Sequence, residues 1–521
     1  MSLVTLLANL GLLLCCRRDA QRLEQALAQP EAAQQQLLLA LLAQNRDTAY
    51  GRAHHFGGIR SVEDYRRLVP VTGYEDYAAA IERIGGGEQG VLTREPVLLF
   101  EITSGSTSAS KLIPYTATLK TEFSAGIKPW LHNLYTACPA LCRGKSYWSI
   151  TPATHRQTHT SGGIPIGFEE DTAYLGRVEQ LLLNQIFVRP EGIHPGQSME
   201  EFYFVTARAL LDTPSLALVS VWNPSYLLLL LDYIDRERER LLAALPRRRA
   251  AVVAPLLASR DYTRVWPRLA VISCWGDGAA APGFRQLQAL CPGVFVQPKG
   301  LLATEAFMTL PLWGQTGGLL SLCSHFFEFQ AVDTGDFVPY SQLREGALYE
   351  ILLTTGGGFY RYRIKDVVRV CGFHPVHKLP LLQFAGKADK VSDRHGEKLN
   401  ELFVKEALAR LEPDFALQGR FCLLAYARTG YCLYLERGAD PGEGPRLAQA
   451  LDDQLRQNFH YDYCRRLGQL TPLAVRYIGG DPAGDHLRAC VQRGRKLGDV
   501  KAEVLSTETG WEEFFQLEDC S

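Results

Sequence analysis

The chain is 521 residues long, too long for one ordinary hydrophobic core, so one large domain with at least one smaller one is expected. Apolar residues at 46% and charged residues at 21% exclude a disordered or fibrous chain. A formal net charge of −1 leaves no global field to gather nucleic acid or acidic lipid.

The chain opens with LVTLLANLGLLLCC, apolar but interrupted by Asn9 and Gly11. About a dozen apolar residues fall short of the roughly 20 that a bilayer span needs. No basic segment precedes them and no small-residue cleavage site follows. The segment reads as a helix packed on the body, with a membrane-surface helix acylated at Cys15 or Cys16 as the alternative. Helix is expected to about residue 45. From about residue 61, short helical pieces alternate with apolar runs at Val97–Phe100, Tyr147–Ile150, Leu216–Val221, Ala270–Cys274 and Val294–Gln297. Longer helical patterns cover Arg177–Ile186 and Tyr226–Leu245. This alternation predicts an α/β architecture with mixed or parallel sheets. The charged run Asp235–Arg240 and the cluster Arg247, Arg248 and Arg249 read as solvated helix surface.

Gly346–Gly372 differs: two β-like runs joined by a glycine-rich turn predict a small antiparallel element near the end of the large domain. Composition changes at Phe384–Glu401, which is polar and punctuated by glycine. Beyond it, FCLLAYARTGYCLYLE and TPLAVRYI alternate as strands do, suiting an α+β unit of about 130 residues. The boundary is placed near residue 385, giving a large domain over 1–385 and a small one over 386–521. The thirteen cysteines are scattered, odd in number and form no CxxC pair, the usage of a reduced cytoplasmic protein with buried thiols. His155 and His159 stand four apart, but HRQTH lacks the glutamate of a zinc-protease helix, so no metal site is assigned there.

One stretch carries chemistry. In FEITSGSTSASKLIPYT, an apolar run stops at a Ser/Thr/Gly cluster, and Lys111 follows before apolar residues resume. Such a turn can present backbone N–H groups to a phosphate chain, with hydroxyls and one ammonium as further donors. Glycine permits close approach of backbone to anion. The spacing is not GxxxxGK[ST], so an ordinary P-loop is excluded; taken alone, the segment reads equally as a Ser/Thr-rich surface loop.

TSGSTSASKLIP resembles the phosphate loop of the GH3 family of acyl-acid amido synthetases, in its bacterial branch, within the adenylate-forming superfamily. The resemblance continues in order through GGIPIGFEEDTAYLG, VWNPSYLLLLLDYI, WPRLAVISCWGDG, KGLLATEAFMTLPL, HFFEF, YRYRIKDVVRV, GKADKVSDRHGEKLNE and LGDVKAEVL. It implies a large adenylate-forming domain and a smaller mobile C-terminal domain. It also implies ATP- and Mg²⁺-dependent adenylation of a small carboxylic acid, then transfer to an amine, an amino acid, as an amide. By the same resemblance Ser104, Gly105, Ser106, Thr107, Ser108 and Lys111 hold phosphate, and Thr304 faces phosphate while Glu305 holds Mg²⁺. Asp366 accepts the ribose hydroxyls, Lys387 stands at the hinge beside Asp389, and Lys501 is the mobile catalytic lysine. Without the family, Thr304-Glu305 would read as a helix start and Asp366 as a strand-end turn residue.

Three positions depart from the family pattern. Leu301 stands where an aromatic ring lies near adenine, Lys365 where glycine precedes the aspartate, and Ala109 where glycine is common in the phosphate loop. None removes a charged group. Candidates for acyl binding are Trp148, the loop Thr151–Gly163, Trp222, Asn223 and Ser225, although each tryptophan would also serve as core. The sequence leaves open a thiol acceptor, such as coenzyme A or a carrier protein, and a nucleotide-binding scaffold without turnover. It does not specify an oligomeric state.

Overall fold

A computed structural model describes residues 2–103, 111–149, 158–167, 176–192, 198–277, 280–388, 390–438, 442–493, 495, 500 and 503–518. The chain divides into two compact units. The first holds Met1–Gly276, Gly283–Ile364 and Val368–Phe384; the second holds Asp277–Pro282, Lys365–Val367 and Ala385–Ser521.

In the first unit, four short apolar runs form a parallel sheet in the order Lys145–Trp148, Leu216–Ser220, Val271–Cys274, Phe295–Pro298. Leu216, Leu218, Val271, Ile272 and Val296 are buried, as expected where helices cover both faces of a parallel sheet. One expected helix is two. Pro224–Arg236 and Arg238–Ala244 are separated by Glu237, whose backbone leaves the helical region. Ile234 and Leu241 are both buried, so the apolar period runs through the break and hides it in the sequence.

The basic cluster is also more than surface. Arg247 and Arg248 are exposed, but the Arg249 guanidinium donates to the carbonyls of Leu211 at 2.6 Å and Val265 at 2.9 Å. Burial lowers its pKa.

The glycine-rich Gly346–Gly372 segment belongs to something larger than a small antiparallel element. Its strands are part of a seven-stranded sheet. The order is Phe337–Val338, Phe326–Ala331, Leu348–Thr354, Tyr362–Phe373, Pro380–Lys387, Gly318–Leu320, Thr309–Pro311. Four of the five further strands are only two to six residues long, too short for a period-2 pattern to declare itself, and the fifth, Pro380–Lys387, has eight. Within this sheet Glu328 is buried and bridges two arginines, Arg66 at 2.8 Å and Arg361 at 2.9 Å.

The N-terminal segment forms helices Leu3–Ala28 and Pro30–Asn45, broken where Pro30 removes an amide donor. Asn9, which interrupts the apolar run, is fully buried. Its amide nitrogen lies 3.1 Å from the carbonyls of both Cys142 and Gly144, and its oxygen accepts the Tyr135 hydroxyl at 3.1 Å. Leu3, Leu7, Leu10 and Leu14 on the other side are exposed. Among the described residues no helix is long and apolar enough to cross a membrane.

The second unit carries a mixed four-stranded sheet, Thr471–Ile478, Gly430–Glu436, Cys422–Ala427, Leu505–Ser506, with helices including Glu401–Phe415 and Glu443–Leu455. At its centre Glu503 is buried, 2.6 Å from the Lys390 ammonium and 3.5 Å from His486 Nε2. Burial pushes this carboxyl up, but His486 and Lys390 outweigh it and bring it from the usual 4.5 down to about 2. A lowered carboxyl stabilises the fold above its unfolded pKa and loses that contribution as pH falls toward the folded one. The melting-temperature gap between wild type and Glu503→Gln is therefore expected to be widest at pH 7 and to shrink steadily below about pH 4.5. A gap that stays constant down to pH 3 would contradict this account.

Candidate active site

Thr304 and Glu305 do not start a helix. Ala303 and Ala306 exchange backbone hydrogen bonds at 3.0 and 3.3 Å, and Leu302 pairs antiparallel with Phe307. Thr304 and Glu305 thus form the tip of a two-residue hairpin. The tip is held from several sides. The Tyr115 hydroxyl donates to the Thr304 carbonyl at 2.5 Å, and Ser324 Oγ donates to the Phe307 carbonyl at 2.9 Å. The Phe307 amide donates to His325 Nε2 at 3.0 Å, which fixes the ring proton on Nδ1; that atom lies 2.9 Å from the Glu122 carboxylate. Glu122 in turn accepts the Gly356 amide at 2.8 Å. Two glycines allow the close packing: a Cβ on Gly126 would fall 2.2 Å from the Phe307 ring, and one on Gly300 2.0 Å from the Thr309 carbonyl.

The buried Glu305 carboxylate acts electrostatically on two phenols. Burial and then the Glu305 charge push the Tyr362 phenol far above its ordinary value, and burial with nearby acidic charge, Glu305 included, raises Tyr74. The Tyr74 oxygen accepts the Leu112 amide at 2.7 Å, and Lys111 Nζ lies 5.4 Å above the Tyr74 ring. Lys111 begins strand Lys111–Tyr115, antiparallel to Leu99–Thr103. Lys111 and Glu305, 194 positions apart in sequence, therefore both bear on Tyr74, the first over its ring and the second through the charge that raises its phenol. A hairpin-tip carboxylate with acceptor-only oxygens suits Mg²⁺, which commonly takes one or two carboxylates beside substrate phosphates. Leu301 precedes the tip and is partly buried; its amide donates to Thr309 Oγ1 at 2.7 Å.

In the second unit Asp366 is buried, and one carboxylate oxygen lies 2.5 Å from Lys387 Nζ. Lys365 has φ of +66°, the left-handed region that costs a residue with a Cβ roughly 1–2 kcal/mol. Lys365→Gly is expected to raise stability by about 1 kcal/mol in thermal or denaturant unfolding. A destabilised variant would contradict the strain. Ser104, Gly105, Ser106, Thr107, Ser108, Ala109, Asp389, Lys501 and residues 151–157 of the polar loop lie outside the described residues.

Trp148 and Trp222 belong to an array at the carboxyl ends of the parallel strands, where ligands of open α/β sheets bind. Trp148, Ser220, Ser273 and Gln297 share one register line across the four strands, so their side chains leave the same face. Two residues further on, the Trp275 amide donates to the Trp222 carbonyl and the Lys299 amide to that of Cys274, extending the pairing. Lys299 Nζ donates to Ser220 Oγ at 2.8 Å and sits over the rings of Trp130 at 5.3 Å and Trp222 at 5.1 Å. Asn223 caps the helix Pro224–Arg236, its oxygen accepting the Ser225 amide at 3.0 Å. That contact uses the Asn223 side chain and the Ser225 backbone.

Reading by residue type missed Lys299, Tyr74, Tyr362, Glu122 and His325. For Lys299 a signal existed. Strand alternation from Gln297 places it on the same face, two residues on. Nothing local marks the others.

Three domain models match the chain: "GH3 family N-terminal domain" over residues 19–252, "GH3 family central domain" over 318–387 and "GH3 family C-terminal domain" over 401–510. Among curated proteins, it is 25% identical to the probable indole-3-acetic acid-amido synthetase GH3.1 of Arabidopsis thaliana, covering 75% of this chain and 73% of that one. It is 24% identical to the probable indole-3-acetic acid-amido synthetase GH3.2 of Oryza sativa subsp. japonica, covering 94% and 90%. Among solved structures, AtGH3.15 acyl acid amido synthetase in complex with 2,4-DB superposes with a TM-score of 0.80 at 20% identity, over 96% of each chain. A 2-hydroxyisobutyryl-CoA ligase with 2-HIB-AMP gives 0.52 at 13% identity, over 93% and 90%. Both likenesses are of fold.

Proposed function

The chain belongs to the GH3 family, and from that membership we propose that it is an ATP-dependent ligase acting on a small carboxylic acid. It activates the acid as an acyl-adenylate with release of pyrophosphate, then passes the acyl group to the amine of an amino acid, forming an amide. The curated relatives named as amido synthetases support this reading. The observation that carries it is Tyr74, with the Lys111 ammonium over its ring and its phenol raised by the charge of the Glu305 hairpin tip.

The residues divide the work. Lys111, with the segment Ser104–Ser108, clamps the phosphates by charge and hydrogen bonds. Thr304 offers a hydroxyl at the rigid tip. Glu305 holds Mg²⁺, which supplies charge neutralisation on the phosphoryl oxygens. Asp366 accepts the ribose hydroxyls, and Lys387 holds that carboxylate in place. Lys501 serves as the mobile lysine of the first half-reaction. Leu301 packs against adenine as an apolar surface. Because hydrogen bonds hold the Glu305 tip before any ligand arrives, the carboxylate is aimed without reorganisation at the moment of reaction.

The test is carboxylate-dependent exchange of labelled pyrophosphate into ATP across a panel of acids, followed by mass spectrometry of products with amino acids and with coenzyme A. Exchange with an amide product is the expected result. Exchange with only a thioester would move the acceptor to a thiol. ATP binding without exchange for every acid would make the protein a nucleotide-binding scaffold.

A further inference from the structure

The carboxyl ends of the four parallel strands carry a row of donors. Trp148 Nε1 and Gln297 Nε2 are buried and have no hydrogen-bond partner among the described residues, and neither does Ser273 Oγ. The Gln297 oxygen is already taken, accepting Trp130 Nε1 at 3.1 Å. What this row has left is two N–H donors and one serine hydroxyl that can also donate, and an indole N–H or an ammonium has no acceptor capacity at all. A buried donor left unmet costs about 1–3 kcal/mol, so an acceptor-rich ligand group recovers energy here that a hydrocarbon would not. Lys299 adds an ammonium to the same face, half-buried and set over the Trp130 and Trp222 rings.

We infer that Lys299 is a specificity residue that receives a second anionic group on the carboxylic acid substrate, with the neighbouring indoles walling a flat ring between that anion and the reacting carboxylate. The inference rests on the ligase reading and names its substrate class: an aromatic acid with a further carboxylate, sulfonate or phosphate. The reacting carboxylate itself is a poorer match for Lys299. It must be nucleophilic, which an ammonium clamp opposes, and it loses its charge once the adenylate forms. A distal anion keeps its charge through both half-reactions.

The experiment uses the full chain with benzene-1,3-dicarboxylate and benzene-1,4-dicarboxylate, each against its monocarboxamide, in which one anion is replaced by a neutral group of the same shape. Pyrophosphate exchange and calorimetric binding are measured for wild type, Lys299→Met and Lys299→Arg. Wild type is expected to favour at least one dicarboxylate by tenfold or more in kcat/KM. Lys299→Met is expected to lose that preference through KM, Lys299→Arg to keep part of it, and ATP affinity to stay unchanged in both. A preference that survives Lys299→Met, or a wild type that favours the carboxamides, overturns the inference and leaves the ligase reading standing. Binding of a dicarboxylate that depends on Lys299, with no exchange for any acid, keeps Lys299 as the anion-receiving residue and defeats the ligase reading, and with it the substrate role. Neither binding nor exchange with any member of the series overturns the inference as well.

Discussion

Replacing Glu328 with alanine is expected to leave little folded protein. The carboxylate is buried, with Arg66 Nε 2.8 Å from one oxygen and Arg361 Nε 2.9 Å from the other. Removing one partner from a buried ion pair strands the opposite charge, at a cost of about 3–5 kcal/mol. That is a large share of the roughly 5–15 kcal/mol by which domains are stable. Arg361 has no alternative position. Its backbone is left-handed at φ +48°, its amide donates to Thr354 Oγ1, and its guanidinium also donates to the carbonyls of Arg66 and Val69. Arg66 is more exposed and can turn to water, so Arg66→Ala is expected to cost far less, about 1–2 kcal/mol. Denaturant unfolding measures both. A Glu328→Ala variant within about 1 kcal/mol of wild type would refute this reading of the core.

Glu305→Gln and Lys111→Met are each expected to reduce pyrophosphate exchange by at least about 100-fold, the usual scale for deleting a preorganised electrostatic group. Gln retains the shape and hydrogen-bonding capacity of glutamate, so the hairpin should persist and thermal melting should change little. The lost charge is then the cause. His325→Ala separates positioning from chemistry. It removes the acceptor for the Phe307 amide, so the tip loosens although every group assigned to phosphate or metal remains. Exchange should fall, with the acid's KM moved less than kcat. Full activity in Glu305→Gln would remove Glu305 from the reaction.

The strands of the parallel sheet were legible because each is a continuous apolar run placed between helical patterns, and four of the five predicted runs recur there. The seven-stranded sheet was not. Thr309–Pro311, Gly318–Leu320 and Phe337–Val338 are too short to show a period, and their pairing is long-range. Lys111 stood out because a charge and hydroxyls interrupt apolar surroundings, whereas Glu305 was assigned through the family resemblance alone and by residue type reads as a helix start. Tyr74, Tyr362 and His325 did not stand out, since a tyrosine or histidine among apolar neighbours reads as core whether or not it supports a site. Lys365 was flagged as a departure from a glycine, and the left-handed backbone there supplies the reason for that glycine. Asn223 and Ser225, suggested for acyl binding by composition, also form a helix cap, which residue type alone did not show.

Asn9 bears on how the amino-terminal helix can be handled in the laboratory. Deleting residues 1–18 would remove an amide that reaches two carbonyls near residue 143 and an oxygen that accepts a tyrosine proton, so aggregation of such a truncation would say nothing about lipids. Exchanging the outward Leu3, Leu7 and Leu14 for glutamine leaves that anchor untouched. Vesicle flotation with the triple variant is thus the cleaner way to ask whether this helix meets a bilayer.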